Sequence, residues 1–334
     1  MAHRIGIMGG DGIGPEVVAE GLKVIDALGV EYERIDYDLG GERYLRDGTI
    51  LTDEIIEEWR GIDALYAGAV GSPGVPPGVI ERGLLLRMRF ELDLYINYRP
   101  FKKAPGPGVL PNGSDQQGHD FVVIRENTEG TYAGEGGFLR KDTPQEVATQ
   151  GSVNTRHGVE RCVRYAFDLA MTRNKHLTLV HKTNVLTFSG DLWERTFNEV
   201  AEEYPEVETA YNHVDAACIY FVDRPESYDV IVTDNLFGDI LTDLGGAVSG
   251  GIGLAPTANL NPHGMSMFEP VHGSAPDIVG TGKANPVAAI LSGAMMLDHL
   301  GETEAADRIR AACADAETLT GTTSEIGDQV VARL

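Results

Sequence analysis

Short apolar runs alternate with longer amphipathic stretches along this chain, and the two periods predict strands alternating with helices. RIGIMG, beginning at Arg4, reads as a buried strand. GDGIGPE follows as a turn with Pro15 near a helix start, and EVVAEGLKVIDALG reads as an amphipathic helix closed by Gly29. ALYAGAV, FVVIRE, LTLVHK and DVIVTD are further short β-rich runs, each followed by polar or glycine-containing turns. This alternation predicts an α/β protein.

Two segments interrupt the pattern. FKKAPGPGVLPNGSDQQGH, from Phe101 to His119, is dense in Pro, Gly and polar residues and reads as a long surface loop at a passage between domains. From Asn127 to Gln150 the Gly-, Thr- and charge-rich sequence suits an extended β arm better than a helix. A length of 334 residues suggests two domains or one large α/β unit.

Charge narrows the partners. Lys and Arg number 27 against 51 Asp and Glu, a net charge of -24, and such a surface repels nucleic-acid backbones and anionic lipid headgroups. An anionic substrate would therefore need a local concentration of arginine. The three cysteines, Cys162, Cys218 and Cys313, are far apart and odd in number, which predicts reduced thiols. No apolar run reaches the roughly 18 residues of a membrane span, and the first residues lead into a strand rather than a signal segment. A cytoplasmic protein is expected.

VTDNLFGDILTDLGG places Asp239 and Asp243 at i and i+4 on one predicted helix face, about 5 to 6 Å apart at Cβ. Two carboxylates at that spacing can share a hard cation such as Mg²⁺ or Mn²⁺, or can be two solvated acids on an exposed face. Arg82, Arg87, Arg89, Arg99 and Arg125 gather in and beyond an apolar run, and their planar forks suit a multiply anionic acid. The alternative is pairing with Glu81, Glu91 and Asp93 along a helix surface. Tyr132 and Lys182 follow strand-like runs, where α/β proteins place chemistry. A desolvated lysine near other cations can become a base and a tyrosine can relay a proton, although each residue taken singly has an ordinary structural reading. Asp215 is either a ligand or a helix cap. FEPVHGSAPDIVGTGKANP is a Gly- and Pro-punctuated loop whose backbone can approach an anion or nucleotide ring closely, or a plain connection. GDGIG lacks the spacing of a dinucleotide fingerprint.

Taken in order, GDGIGPE, ERGLLLRMRFELDLYINYRP, VIRENTEG, HKTNVL, HVDAA, VTDNLFGDILTD and FEPVHGSAPDI resemble the β-decarboxylating dehydrogenases across nearly the whole chain. That family acts on isopropylmalate, isocitrate, homoisocitrate and tartrate or D-malate, and the likeness is strongest to its isopropylmalate branch. The resemblance implies a two-domain α/β/α fold distinct from the standard Rossmann fold. Residues 1–94 and 249–334 would form a discontinuous cofactor-binding domain, and 95–248 a substrate, metal and dimerisation domain with the β arm. It implies that Arg89, Arg99 and Arg125 bind the substrate carboxylates and that Asp239, Asp243 and Asp215 hold Mg²⁺ or Mn²⁺. Asp215 and Lys182 would come from the neighbouring subunit of a homodimer or larger assembly. Lys182 would take the hydroxyl proton, and Tyr132 would take part in protonating the product.

Asp277 followed by Ile278 implies NAD rather than NADP, because a carboxylate accepts the ribose hydroxyls and repels a 2′-phosphate. His272, Gly273, Ser274, Ala275 and Asn285 would line the adenosine, with Ile13, Glu269 and Asn184 nearer the ribose or nicotinamide. Apolar Leu84, Leu85 and Leu86 suit an isopropyl group. The expected reaction is NAD-dependent conversion of 3-isopropylmalate to 4-methyl-2-oxopentanoate in leucine biosynthesis. Gly9, Tyr98 and ENTEGTY depart from the family's usual pattern, so tartrate, D-malate or another alkylmalate stays open as substrate, as does a non-catalytic nucleotide- or metal-binding paralogue.

Overall fold

The computed structural model describes residues 2–106, 108, 110 and 112–334. β1 (His3–Met8) buries its last four residues and leads through a glycine turn into α1 (Gly14–Ala27), with Pro15 in the first helical turn. Proline suits that position because its missing N–H would have no helical acceptor there. Gly29 adopts φ +73° and ends the helix. β2 (Tyr32–Asp36), α2 (Gly41–Asp47), α3 (Asp53–Trp59) and β3 (Ala64–Ala67) follow. A π-helical turn over Glu81–Leu86 runs into α4 (Arg87–Glu91), and β4 spans Ile96–Lys103.

Next come β5 (His119–Glu126), the hairpin β6 (Gly136–Leu139) with β7 (Val147–Gln150), α5 (Arg156–Met171), β8 (His176–His181) and α6 (Thr187–Ala201). β9 (Glu208–His213), α7 (Val214–Asp223), β10 (Val230–Thr233) and α8 (Asn235–Val248) complete this part. The chain ends with β11 (Pro256–Leu260), β12 (Ser266–Pro270), α9 (Val287–His299), α10 (Thr303–Ala312) and α11 (Thr323–Val331).

These elements divide into two compact units. The first comprises residues 1–94, 98–104 and 249–334, and the second comprises 95–97 and 105–248.

In the first unit the strand order is β2-β1-β3-β12-β11-β4. β1 pairs in parallel with β2 and β3, β3 in parallel with β12, and β11 runs antiparallel to β12. β3 is buried throughout, and its side chains alternate between two helical layers. Leu65 and Ala67 join Trp59, Leu84 and Met88 in one core, while Tyr66 donates its hydroxyl to the α9 carbonyl of Ala289 at 2.7 Å. A strand covered on both faces carries no polar alternation, which is why ALYA reads as a plain apolar run.

In the second unit the order is β5-β10-β8-β9, all parallel. Val230, Ile231 and Val232 are completely buried, so both faces of β10 are covered. α5 packs with α6 and α7 with α8, and each pair also meets the strands. The β6–β7 hairpin is the expected arm, and all eight of its strand residues are exposed.

The predicted 101–119 loop requires correction. Phe101 is 2% exposed and belongs to β4, which runs on to Lys103, and His119 already opens β5. Residues 114–117 form a 3-10 turn, and positions 107, 109 and 111 of this segment lie outside the described residues. Strands β2 and β9 escaped the pattern because YERID and ETAYNH have no fully buried position and so no apolar period. Among the described residues no helix is long and apolar enough to cross a membrane.

Candidate active site

The second unit collects its chemistry at one edge. Thr233 of β10 pairs with Arg125 of β5 and with Val180 of β8, while His181 pairs with His213 of β9. The carboxyl ends of four parallel strands are therefore level, and ligands of open α/β sheets bind there. Arg125, Lys182, Asp215 and the start of α8 all emerge from this edge.

Arg125 is 1% exposed, so its charge demands partners. Nη1 donates to Asp239 Oδ1 at 2.5 Å, and Nε and Nη2 both donate to Asn235 Oδ1, at 3.1 and 2.7 Å. Tyr132 donates its hydroxyl to the other oxygen, Asp239 Oδ2, at 2.6 Å. The Arg125 guanidinium carbon lies 5.2 Å from the Tyr132 ring centre. Asp243, exposed one turn further along α8, adds a second carboxylate. Leu236 and Ile240, beside these acids, are 38% and 52% exposed, so the neighbouring stripe is a surface rather than a core face.

Asp239 and Asp243 fit a hard divalent cation. Both are oxygen donors, and the Asp239 side chain is 42% exposed while its orientation is set by Arg125 and Tyr132. Among the described residues no three His, Cys, Asp or Glu side chains converge as a metal cluster, so Asp215 stands apart from this pair. Instead Lys182 Nζ donates to Asp215 Oδ1 at 2.7 Å, and that bond holds the Asp215 carboxyl below its usual range. Lys182 thus meets a carboxylate here rather than another cation.

Beneath the edge lie groups that the sequence did not suggest. Asp234 is the N-cap of α8, accepting the Phe237 N–H at 2.8 Å. Burial raises its carboxyl to about 6. His181 is fully buried against Trp193 and Phe237, and burial lowers its imidazole to about 4. Its Nε2 lies 3.5 Å from Asp234 Oδ2, at the outer limit of a hydrogen bond. Glu126 accepts the N–H groups of Thr128 and Glu129 and the Thr128 hydroxyl, and burial pushes its carboxyl up.

In the first unit Arg89 and Arg99 are 9% and 8% exposed. Arg87, by contrast, pairs with Glu91 at 2.7 Å and with Asp53, the ordinary surface role anticipated for part of this group. Arg82 is exposed. Leu84 is fully buried among the core residues and is unavailable to a ligand, which corrects its grouping with the half-buried Leu85 and Leu86.

The same unit carries two glycine-containing loops, one after β1 and one after β12. The Asp11 carboxylate accepts the N–H groups of Gly41, Glu42 and Gly71 at 2.6, 2.9 and 2.7 Å, tying three loops at the carboxyl ends of parallel strands. Ile13 is 4% exposed and donates its N–H to the Ser274 carbonyl at 2.9 Å. Gly12, at φ +60°, permits this contact, since a Cβ there would lie 2.0 Å from the Ser274 oxygen. Ala275 adopts φ +40°. His272 is 8% exposed with Nδ1 3.0 Å from the Gly273 oxygen, and its buried Nε2 has no hydrogen-bond partner among the described residues. That orphaned nitrogen, beside exposed Gly273 and Asp277, fits a nucleotide. Glu269 accepts from Asn259 at 2.9 Å, Asn285 accepts the Val287 N–H at 3.0 Å, and Asn184, in the second unit, is exposed.

Residues 4–331 match the family described as isocitrate/isopropylmalate dehydrogenase. The 3-isopropylmalate dehydrogenase of Corynebacterium diphtheriae is 58% identical over 99% of each chain, and that of Nocardia farcinica is 57% identical over 98% of this chain and 99% of its own. Among solved structures, isocitrate dehydrogenase from Methylococcus capsulatus matches with TM-score 0.90 and 37% identity over 99% of both chains. A β-decarboxylating dehydrogenase from Thermococcus kodakarensis matches with TM-score 0.81 and 36% identity, over 99% of this chain and 96% of that one.

Proposed function

Because the chain belongs to the isocitrate/isopropylmalate dehydrogenase family, we propose that it oxidises and decarboxylates 3-isopropylmalate to 4-methyl-2-oxopentanoate, with NAD⁺ as hydride acceptor, in leucine biosynthesis. The observation that carries this reading is the Arg125–Asp239–Tyr132 cluster, in a chain 58% identical along its length to a relative of that name. A buried arginine, a carboxylate able to hold a cation and a phenol meet within hydrogen-bond reach, as anion binding and proton transfer require.

Residues 1–94 and 249–334 are assigned to NAD, with His272, Asp277 and the loop from Gly273 to Ala275 around the adenosine, and Asn285, Ile13, Glu269 and Asn184 as further contacts. Residues 95–248 are assigned to metal and proton chemistry. Arg125, Arg89 and Arg99 bind substrate carboxylates, and Leu85 and Leu86 contact the alkyl group. Burying that group contributes about 0.8 kcal/mol per CH₂, a preference rather than a strict exclusion.

Lys182 of the neighbouring subunit accepts the substrate hydroxyl proton, with Asp215 of that same subunit beside its amine to orient it. Tyr132 supplies a proton to the carbon left by departing CO₂. NAD⁺, when bound, would supply the hydride acceptor, and Mg²⁺ or Mn²⁺, which Asp239, Asp243 and a partner's Asp215 would hold, would supply a Lewis acid for the substrate oxygens.

A homodimer is supported by the exposed apolar residues of the second unit: Phe138 and Leu139 on the arm, Phe188 on α6, Ile219 on α7 and Ile240 on α8. The free cysteines support a reducing, cytoplasmic location.

NADH absorbance tests the reading. It should rise only when 3-isopropylmalate, NAD⁺ and Mg²⁺ or Mn²⁺ are present together, and full activity after complete chelation would overturn the assigned metal requirement.

A further inference from the structure

The first turn of α8 is shaped around one arginine. Asn235, Gly238 and Asp239 stand at i, i+3 and i+4, on a single helix face. All three meet Arg125. Asn235 Oδ1 fills the fork between Nε and Nη2, and Asp239 takes Nη1. Gly238 opens a slot for the arginine's stem, since a Cβ there would lie 2.4 Å from Arg125 Cγ and 2.6 Å from its Cβ. The other end of the Asn235 amide donates to the Glu129 carbonyl at 3.1 Å, and this contact decides that oxygen, not nitrogen, faces the guanidinium.

Asn235 is itself 1% exposed, so its influence on a ligand runs through Arg125. Its chemistry suits that task. An aspartate in its place would put a second carboxylate on the guanidinium, beside Asp239, and would lose the donor to Glu129. The amide fixes the same fork without adding that second negative charge. Three of the five guanidinium N–H groups are used in these bonds, which leaves one on each terminal nitrogen, the pair suited to a bidentate carboxylate.

We propose that Asn235 is a positioning residue that aims Arg125 at the substrate carboxylate, with Gly238 providing the space for that pose. The proposal rests on the assignment of Arg125 to substrate binding.

Steady-state kinetics with 3-isopropylmalate, NAD⁺ and Mg²⁺ test it in Asn235→Asp, Asn235→Ala and, as a control for the assignment itself, Arg125→Lys. Asn235→Asp should raise KM for the diacid at least tenfold, with a smaller change in kcat and none in KM for NAD⁺, and Asn235→Ala should do the same more mildly. If Asn235→Asp does not fold, Gly238→Ala presses on the same arginine from its other side and should show the same selective rise. Unchanged diacid KM in these variants alongside a raised one in Arg125→Lys overturns the role of Asn235. Equal losses for the diacid and NAD⁺ with a lowered Tm overturn it too, as a general loosening. An unchanged diacid KM in Arg125→Lys overturns the underlying assignment instead.

Discussion

Replacing His181 by Phe should expose a pH dependence of stability that the native pair conceals. The site suits an aromatic ring, because His181 is fully buried, stacks on Trp193 and meets Phe237 edge-on, with neither ring nitrogen well hydrogen-bonded, and any cost of the larger ring is independent of pH. Burial lowers the imidazole from 6.5 to about 4, so the unfolded chain binds this proton more readily, and stability falls as pH drops through that window. Burial raises the Asp234 carboxyl from 3.8 to about 6, so the folded chain holds this proton more tightly, and stability falls as pH climbs through that window. Each pH unit inside either window is worth about 1.4 kcal/mol. The windows overlap from about pH 4 to 6 with opposite signs, so folded and unfolded states carry the same proton count and the pair contributes a nearly flat profile.

His181→Phe removes the rising half. Relative to wild type, the variant should lose about 1 kcal/mol between pH 5 and 6, and Asp234→Asn should gain about as much across the same interval. Urea unfolding followed by circular dichroism at pH 5.0 to 7.5 measures both differences while staying above the isoelectric point near 4.6. A His181→Phe profile parallel to wild type would refute the opposed titrations.

Two further perturbations address the loops and the thiols. Asp11→Ala leaves three backbone N–H groups without their charged acceptor. The loss should cost about 3 kcal/mol of stability and raise KM for NAD⁺, whereas wild-type NAD⁺ kinetics and Tm would contradict the tie between the loops. Cys162 and Cys313 are buried, with burial pushing both thiols up and Cys313 to about 12, while Cys218 is half-buried. An aromatic disulfide reagent should therefore modify at most Cys218 in the native protein and all three cysteines in denaturant. Rapid native modification of two or more would contradict the burial of Cys162 and Cys313.

The sequence exposed elements wherever burial left a period. α1 showed its ends through Pro15 and Gly29, and β10 and β3 showed themselves as unbroken apolar runs because helices cover both faces. β2 and β9 were silent because their residues stay partly exposed. At the site, Asp239 and Asp243 were legible from their i, i+4 spacing, and buried Arg125 from the need for cations in an acidic chain. Asn235 was not, although its place four residues before Asp239 on the same helix face was the available signal. His181 and Asp11 act through long-range packing and hydrogen bonds that no local spacing encodes, whereas the N-cap role of Asp234 is local and only its burial is not. Leu84 shows the reverse error, since an apolar run does not reveal which of its members faces the core.

Substrate selectivity bears most directly on the central claim. With NAD⁺ and Mg²⁺ held constant, kcat/KM should be measured for 3-isopropylmalate, D-malate, tartrate, isocitrate and homoisocitrate, with released CO₂ counted against NADH. 3-Isopropylmalate should lead, with one CO₂ for each NADH. A higher kcat/KM for D-malate or tartrate, or NADH without CO₂, would contradict it.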